Sequence, residues 1–387
     1  MNLVFLIYGY FPYGGQQRDF LRVALACAAR GHRVRVYTMK WQGEKPAGLD
    51  IRLLDIRAWT RLACYRHFTQ QVAEALKQEP AELVIGFNKM PGLDVYFAAD
   101  PCFAERAQTQ RGFYYRFTPR YHHFSRYESA VFGPQANTRA LLLSPLQREQ
   151  FAHYYPGSET RFVDIPPGIE ADRRRPENAA EIRAAFRHEM GLGEHDLAIV
   201  QIGSGFVIKG LDRSLHAIAS LPQDIRKRVH YFVVGQDKPD RFLRLASRLG
   251  IVPLCRFLGG RDDVPRFLLG GDLLLHPAYS ESAGYVLLEA TIAGLPVLTT
   301  ATCGYAFHIE RAGSGIVCPQ PFEQQTLNRH LQTMLEPDKR QMFSRQGIEY
   351  GRSQDLYSMP ETVAGMIERF VHEANLQRGS PVTELAS

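Results

Sequence analysis

The sequence predicts an α/β protein made of two doubly wound parallel sheets, and three observations predict it. Short apolar runs alternate with helix-length segments from the first residues onward. Those runs end repeatedly in glycine-rich turns, the punctuation of a strand that feeds a helix. The whole pattern then restarts after "DIPPGIEADRRRP", near residues 165 to 170, dividing 1–166 from 167–352. A terminal helix is expected over 353–375, packing back on the first domain. A flexible tail is expected over 376–387, because "ANLQRGSPVTELAS" from Ala374 is polar and should fray.

Residues 2–8 form the first apolar strand. Residues 16–30 carry helical spacing (Phe20, Leu21, Ala24, Leu25, Ala28) up to Gly31, and "HRVRVYT" alternates like a strand, which completes a βαβ unit. The second half reads as strand "LAIVQIGS", helix 210–220, strand "VHYFVVG", helix 239–249, strand "CRFLGG", a short helix from Asp262, and strand "DLLLHPA". A helix then starts at Gly284, buries Val286, Leu287, Leu288, Thr291, Ile292 and Leu295, and is stopped by Gly294 and Pro296 before strand "PVLTT".

Composition narrows the function classes. The 387 residues are 45% hydrophobic and 22% charged, as in a soluble globular protein of two or three domains. The six cysteines (27, 64, 102, 255, 303 and 318) include no C-x-x-C pair, so neither a zinc site nor a disulfide framework is expected, and the reduced cytoplasm is the expected compartment. "MNLVFLIYGY" lacks the basic start and cleavage site of a signal peptide. The longest uncharged run, 290–309, is interrupted by Gly294, Pro296 and Gly304 and makes a poor membrane span. The net charge of +6 is modest and suits a phospholipid surface or another polyanion; no nucleic-acid partner is expected.

Several turns carry groups suited to an anionic ligand. "GYFPYGGQQRDF" places Gly14 and Gly15 at a helix start, where backbone N–H groups can meet an anion; the same glycines also fit a purely structural turn. The turn is not G-x-G-x-x-G, and "YTMKW" ends the second strand without the acid that holds an adenosine ribose, which disfavours a dehydrogenase. "QIGSGFVIKG" puts Lys209 before a helix without Walker spacing, so a phosphate-loop ATPase is disfavoured while a diphosphate partner and a solvated lysine both stay open. Arg173 lies just past the boundary, Arg261 follows a strand, and Asp100 follows "DVYFAA". In "SESAGYVLLEATIAGLP", Glu281 precedes the helix and Glu289 lies in its second turn. Both would sit near the positive end of the helix dipole, and an N-terminal capping acid with an ordinary polar-face glutamate fits equally.

These segments together resemble the E-x₇-E retaining glycosyltransferases of GT-B fold. "YFPYGGQQRDF", "VIGFNKMPGLDVYFAAD", "FVVGQDKP", "LLLHPAYSESAGYVLLEATIAGLPVLTTATCGY" and "SQDLYSMPE" resemble, more narrowly, the lipopolysaccharide core glucosyltransferase I (WaaG) family, from residue 1 to about 370. The resemblance implies two Rossmann-like domains facing an interdomain crevice, the first binding acceptor and the second a UDP-sugar. It implies that Glu281 faces the donor sugar hydroxyls and Glu289 the uridine ribose, with Gly284 at the start of that helix. Lys209 and Arg173 would neutralise the diphosphate, Gly14, Gly15 and Asp19 would meet sugar and phosphate from the opposite domain, and Asp100 would lie on the acceptor side. The acceptor would be a heptose of the lipid-anchored inner core. No cofactor and no metal are expected.

The chain departs from the pattern where Ser204 and Ile208 stand in place of arginines of the wider superfamily and of the core glucosyltransferase. Arg173, then Arg261, are the candidates to replace the missing cation. Gly205 and Ser282 also differ beside the sugar pocket, so glucose, galactose and N-acetylgalactosamine donors are all compatible, as is a UDP-sugar 2-epimerase of the same fold. A sugar-nucleotide sensor without turnover is a further class. Retention is expected by same-face attack with the departing phosphate taking the acceptor proton, since no carboxylate is assigned against the anomeric carbon.

Residues 111–132, "RGFYYRFTPRYHHFSRYESAVF", hold four arginines, one glutamate and eight aromatics. Pro119 divides the segment, so the rings cannot share one buried stripe, and some should stay at the surface beside a formal charge of +3. That combination is expected to dock reversibly on the anionic inner face of the cytoplasmic membrane.

Overall fold

Thirteen short strands, rich in Val, Ile, Leu and Phe, form two parallel sheets in the computed structural model, which describes residues 1–12 and 14–379. The first sheet contains β1 (Asn2–Leu6), β2 (Arg33–Thr38), β3 (Leu49–Leu53), β4 (Leu83–Gly86), β5 (Val95–Phe97), β6 (Arg139–Leu142) and β7 (Phe162–Asp164), in the order β3-β2-β1-β4-β5-β6-β7. The second contains β8 (Leu197–Ile202), β9 (Val229–Val234), β10 (Cys255–Phe257), β11 (Leu273–His276), β12 (Val297–Thr300) and β13 (Gly315–Cys318), in the order β10-β9-β8-β11-β12-β13. The central strands are buried on both faces, which is why they read as continuous apolar runs instead of alternating ones.

Each sheet reverses its strand order once. β1 pairs with both β2 and β4, and β8 with both β9 and β11. The loops leaving the carboxyl ends of these strands diverge there and leave room for a ligand. The glycine turns singled out in the sequence leave β1 and β8, so both sit at a point of reversal.

The chain divides into two compact units: Met1–Gly168 with residues from Tyr357 onward, and Ile169–Leu356. The helix Pro337–Ser353 belongs to the second unit, where Gly347 and Gly351 let it approach the helix Tyr285–Ala293; a Cβ on Gly347 would lie 2.7 Å from the Thr291 carbonyl oxygen. The last helix, Met359–Gly379, belongs to the first unit and packs on the helix Gly15–Ala29. Glu368 holds it there, accepting from Arg30 at 2.9 Å and meeting His32 Nε2 at 2.8 Å, and Arg139 lies over the Phe370 ring at 4.3 Å. Its helical turns continue to Gly379, four residues beyond the expected end at 375. The remaining tail, 380–387, lies outside the described residues.

In the second unit the helix Tyr285–Ala293 is buried nearly all round. The expected stripe is therefore too narrow: Ala290 and Ala293 are buried as well, and Glu289 keeps only 7% of its surface, while Val286 is only half-buried.

Candidate active site

Of the residues expected on the donor side, Lys209 and Glu281 come together at the reversal point of the second sheet. After β8 the chain turns through Gly203 at φ +122°, where a Cβ would lie 2.8 Å from Lys209 Cε; only glycine lets the lysine stem cross the turn. Beneath the turn, Gln201 Nε2 donates to the Lys209 carbonyl at 2.9 Å, while Gln201 Oε1 accepts from Ser214 Oγ at 2.7 Å and Tyr231 OH at 2.5 Å. This buried network is closed on itself and fixes where Lys209 starts.

Lys209 Nζ reaches across to Glu281 Oε2 and forms an ion pair with it. Glu281 is anchored through its backbone, its N–H donating to Thr302 O at 3.1 Å and its carbonyl accepting from Gly304 N at 3.0 Å. His276, at the end of β11 and without exposed surface, brings Nε2 to 3.6 Å from the same carboxylate oxygen. Burial by itself would raise the Glu281 pKa, but the Lys209 charge outweighs it, with help from His276, and the acid is held at about 2. Burial pushes His276 the other way, below the ordinary histidine value.

Gly284, at φ +90° and ψ 53°, turns the chain into the helix Tyr285–Ala293; Glu289 follows in its second turn. The short turn Ala171–Arg173 packs against this helix. Arg173 is largely buried there, in ion pairs with Glu170 Oε2 at 3.5 Å and, through an Nε that makes no hydrogen bond, with Asp172 Oδ1 at 3.6 Å. Arg261 is disposed differently. It is committed to a two-point ion pair with Asp263, at 2.8 Å for both bonds, beyond the edge strand β10.

Sequence reasoning missed Asp237. Its carboxylate accepts from the N–H groups of Gly205 and Phe206 at 2.6 and 2.5 Å, so two N–H groups of the glycine turn are held by the protein's own anion. The signal was the acid in "FVVGQDKP", directly after β9. His276, in "LLLHPAYSES", was also passed over.

In the first unit, Gly14 caps the helix Gly15–Ala29, and Asp19 is buried in that helix. Gln16 and Gln17 stitch it to the loops after β4 and β1 by donating to the carbonyls of Phe87 and Gly9. Asp100 lies past β5, recessed beside Asn88 and Lys89. Burial raises its pKa, against the opposing pull of the Lys89 charge and the Asn88 hydrogen bond. Tyr8 and Tyr96 face the same acid and are both pushed well above the usual phenol value, chiefly by burial.

The basic aromatic segment forms a 3₁₀ turn, Phe113–Phe117, and a helix, Pro119–Phe132, capped by Thr118 Oγ1 accepting from Tyr121 N at 3.1 Å. Tyr127 and Phe132 are in the core, whereas Phe113, Tyr114 and Phe117 keep 66%, 83% and 68% of their surface. Arg111, Arg116, Arg120 and Arg126 are all exposed. Glu128 corrects the charge balance read from sequence. It is fully buried, accepting from Lys89 Nζ at 2.5 Å, Phe103 N at 2.7 Å, Ala104 N at 2.9 Å and Tyr155 OH at 3.0 Å. The outer face therefore carries the four arginines without an opposing acid from this segment. Among the described residues, no helix is long and apolar enough to cross a membrane, and no group of three or more His, Cys, Asp or Glu is arranged to hold a metal ion.

Residues 183–350 match the family model for glycosyl transferases group 1. The chain is 45% identical over 368 residues to the lipopolysaccharide glucosyltransferase WaaG of Escherichia coli (strain K12), covering 95% of this chain and 98% of that protein. A crystal structure of WaaG, described as a glycosyltransferase involved in lipopolysaccharide biosynthesis, superposes with a TM-score of 0.89, covering 94% of this chain and 99% of the other. A more distant match, Anabaena HepE in complex with UDP and glucose, has a TM-score of 0.73 at 17% identity and covers 95% and 100% of the two chains; it shares the fold. A D-inositol 3-phosphate glycosyltransferase of Streptomyces bingchenggensis is 30% identical over 203 residues, covering 50% of this chain and 44% of that protein. With the two reversed parallel sheets and the Lys209–Glu281 pair at the second reversal point, this agreement over nearly the whole length means that the chain belongs to the WaaG family of group 1 glycosyl transferases, enzymes of GT-B fold.

Proposed function

We propose that this protein is a retaining glycosyltransferase that moves a hexose, glucose in α-1,3 linkage, from a UDP-sugar to a heptose of the lipopolysaccharide inner core. The observation that carries the donor reading is the Lys209–Glu281 pair at the reversal point of the second sheet. A lysine there meets the diphosphate, and the carboxylate beside it accepts hydrogen bonds from sugar hydroxyls. Glu289, one helical turn deeper, takes the uridine ribose. Arg173, whose turn packs on the same helix, supplies the second cation; Arg261 lies beyond the edge strand β10. In the first unit, Gly14, Gly15 and Asp19 meet sugar and phosphate, and Asp100 addresses the acceptor.

Charge that develops on the departing UDP is met by Lys209, Arg173 and helix N-termini, so the reaction needs no metal. Attack occurs on the face the nucleotide leaves, and the departing phosphate takes the acceptor proton. The acceptor is tethered to a lipid, and the exposed arginines and rings of 111–132 bring the enzyme to the inner face of the cytoplasmic membrane.

The experiment is a panel of UDP-glucose, UDP-galactose and UDP-N-acetylgalactosamine with core acceptor truncated at the inner heptoses. Transfer from UDP-glucose with retained configuration is expected. Preference for another donor would reassign the hexose, and epimerised nucleotide sugar without transfer would overturn the reading in favour of a 2-epimerase. Lys209→Ala should weaken UDP-glucose binding by roughly tenfold to a hundredfold, the value of a charge-assisted hydrogen bond of about 1.5 to 3 kcal/mol.

A further inference from the structure

His276 has no exposed surface, and neither of its ring nitrogens has a hydrogen-bond partner. An imidazole carries at least one N–H in either tautomer, and a buried donor left unmet is costly. An acceptor is close: Glu281 Oε2 lies 3.6 Å from Nε2, just outside hydrogen-bond reach. That same oxygen is the one paired with Lys209. One carboxylate oxygen thus has two candidate partners, and the ammonium holds it.

A doubly charged diphosphate attracts an ammonium more strongly than a single carboxylate does. If Lys209 turns to it, Glu281, whose side chain keeps only 22% of its surface, loses its counter-charge in a largely buried position, where an unpaired charge is unfavourable. We propose that His276 is a positioning residue that receives the Glu281 carboxylate when the diphosphate of a nucleotide sugar draws Lys209 away, keeping Glu281 ionised and aimed at the sugar. The inference rests on the reading of Lys209 and Glu281 as donor-site residues given above.

The exchange has a proton signature. The charged or titratable groups at this point are Lys209 from the turn after β8, Glu281 from the loop after β11, and Cys303 from the loop after β12. Cys303 stays a neutral thiol, pushed up to about 11 by burial and by Glu281. His276 is held below its ordinary value by burial, with Glu281 opposing and Lys209 reinforcing that shift. Moving Lys209 onto the diphosphate leaves the Glu281 charge acting on the imidazole alone, so the His276 pKa rises. Between the lower and the raised value, donor binding takes up a proton.

The test is calorimetry of UDP-glucose binding without acceptor, at pH 6, in buffers of differing ionisation enthalpy. The diphosphate of UDP-glucose is a diester and stays fully ionised there, so protons taken up enter the protein. The wild-type protein should take up as much as about one proton per donor bound. His276→Gln keeps an N–H donor but cannot be charged at this pH; it should bind within about threefold of wild type with no uptake. His276→Leu should lose uptake and bind about tenfold more weakly; if it does not fold, the wild type and His276→Gln still decide. Binding by the wild type without proton exchange, or unchanged uptake in His276→Gln, would overturn the exchange and leave the donor site intact. No binding of UDP-glucose, or equal binding by Lys209→Ala, would instead remove the donor-site reading and this inference with it.

Discussion

Replacing Arg116, Arg120 and Arg126 by glutamine should greatly weaken docking on anionic membranes and leave the fold intact. All three side chains are exposed, and neither they nor Arg111 make an ion pair among the described residues. Their full charge is therefore presented outward. The magnitude follows from the position of Glu128. Were that acid at the surface, the face would carry three net charges; because it is buried against Lys89, the face carries four. At about 1 kcal/mol per basic residue near an anionic surface, the four contribute about 4 kcal/mol and the triple variant keeps about 1. A loss of about 3 kcal/mol is roughly a 150-fold weaker partition coefficient. Phe113, Tyr114 and Phe117 remain to enter the headgroup region beside Arg111, so residual binding should be weak and much less dependent on salt than in the wild type. The assay is co-sedimentation with phosphatidylcholine vesicles, with and without phosphatidylglycerol, across a salt series. Equal wild-type binding to both vesicle types, or an unchanged partition for the triple variant, would refute the reasoning and leave the segment a structural one.

Four further outcomes are expected. Glu289→Ala should weaken UDP and UDP-glucose binding alike, since the ribose is common to both. Glu281→Ala should lose turnover while still binding UDP, and equal loss of UDP affinity in both variants would contradict these assignments. Turnover should survive excess EDTA, because Lys209 and Arg173 are available to meet the charge on the leaving UDP; loss restored by a divalent ion would count against it. The last concerns stability. His308 is buried, its Nδ1 lies 2.6 Å from Tyr350 OH, and burial with the Arg311 charge lowers it from 6.5 to about 4. Between those values the unfolded chain binds a proton that the folded chain refuses, so stability is full above pH 6.5 and falls by about 3 kcal/mol as pH drops to 4. Urea unfolding of wild type and His308→Gln should show a shallower pH dependence in the variant; identical slopes would show that this histidine does not control it.

The elements easiest to read in the sequence were those with local causes. The strand "LAIVQI", the turn at Gly203 and the helix ended by Gly294 each announce themselves within a few residues, and their bounds differ from expectation by one or two positions. The site was legible in part. Glu281 and Lys209 stand 72 positions apart, and nothing in that interval says that they form an ion pair; only the β8–β11 pairing brings their loops together. Asp237, His276 and Glu128 went unrecognised for the same reason. Glu128 in particular looked like one surface charge among four arginines, because helical spacing gives its face but not what packs there. The polar residues after Ala374 set the expected end of the last helix four residues early, since a helix with one face against its neighbour can be polar on the rest of its surface.

The return of the last helix to the first unit has a consequence for how the chain is made. Ile169 and Leu356, the ends of the second unit, are joined by a hydrogen bond of 2.8 Å, so that unit is a closed insertion within the first. As the polypeptide leaves the ribosome, the inserted unit is complete once Leu356 has emerged. The unit begun earlier still lacks the helix that covers Gly15–Ala29. The order of completion is thus the reverse of the order of initiation, and the nascent first sheet must wait through nearly two hundred residues of synthesis with one helical face uncovered. Truncation within Met359–Gly379 should accordingly strand the N-terminal sheet while sparing the inserted one, and the two could be distinguished by limited proteolysis of stalled chains.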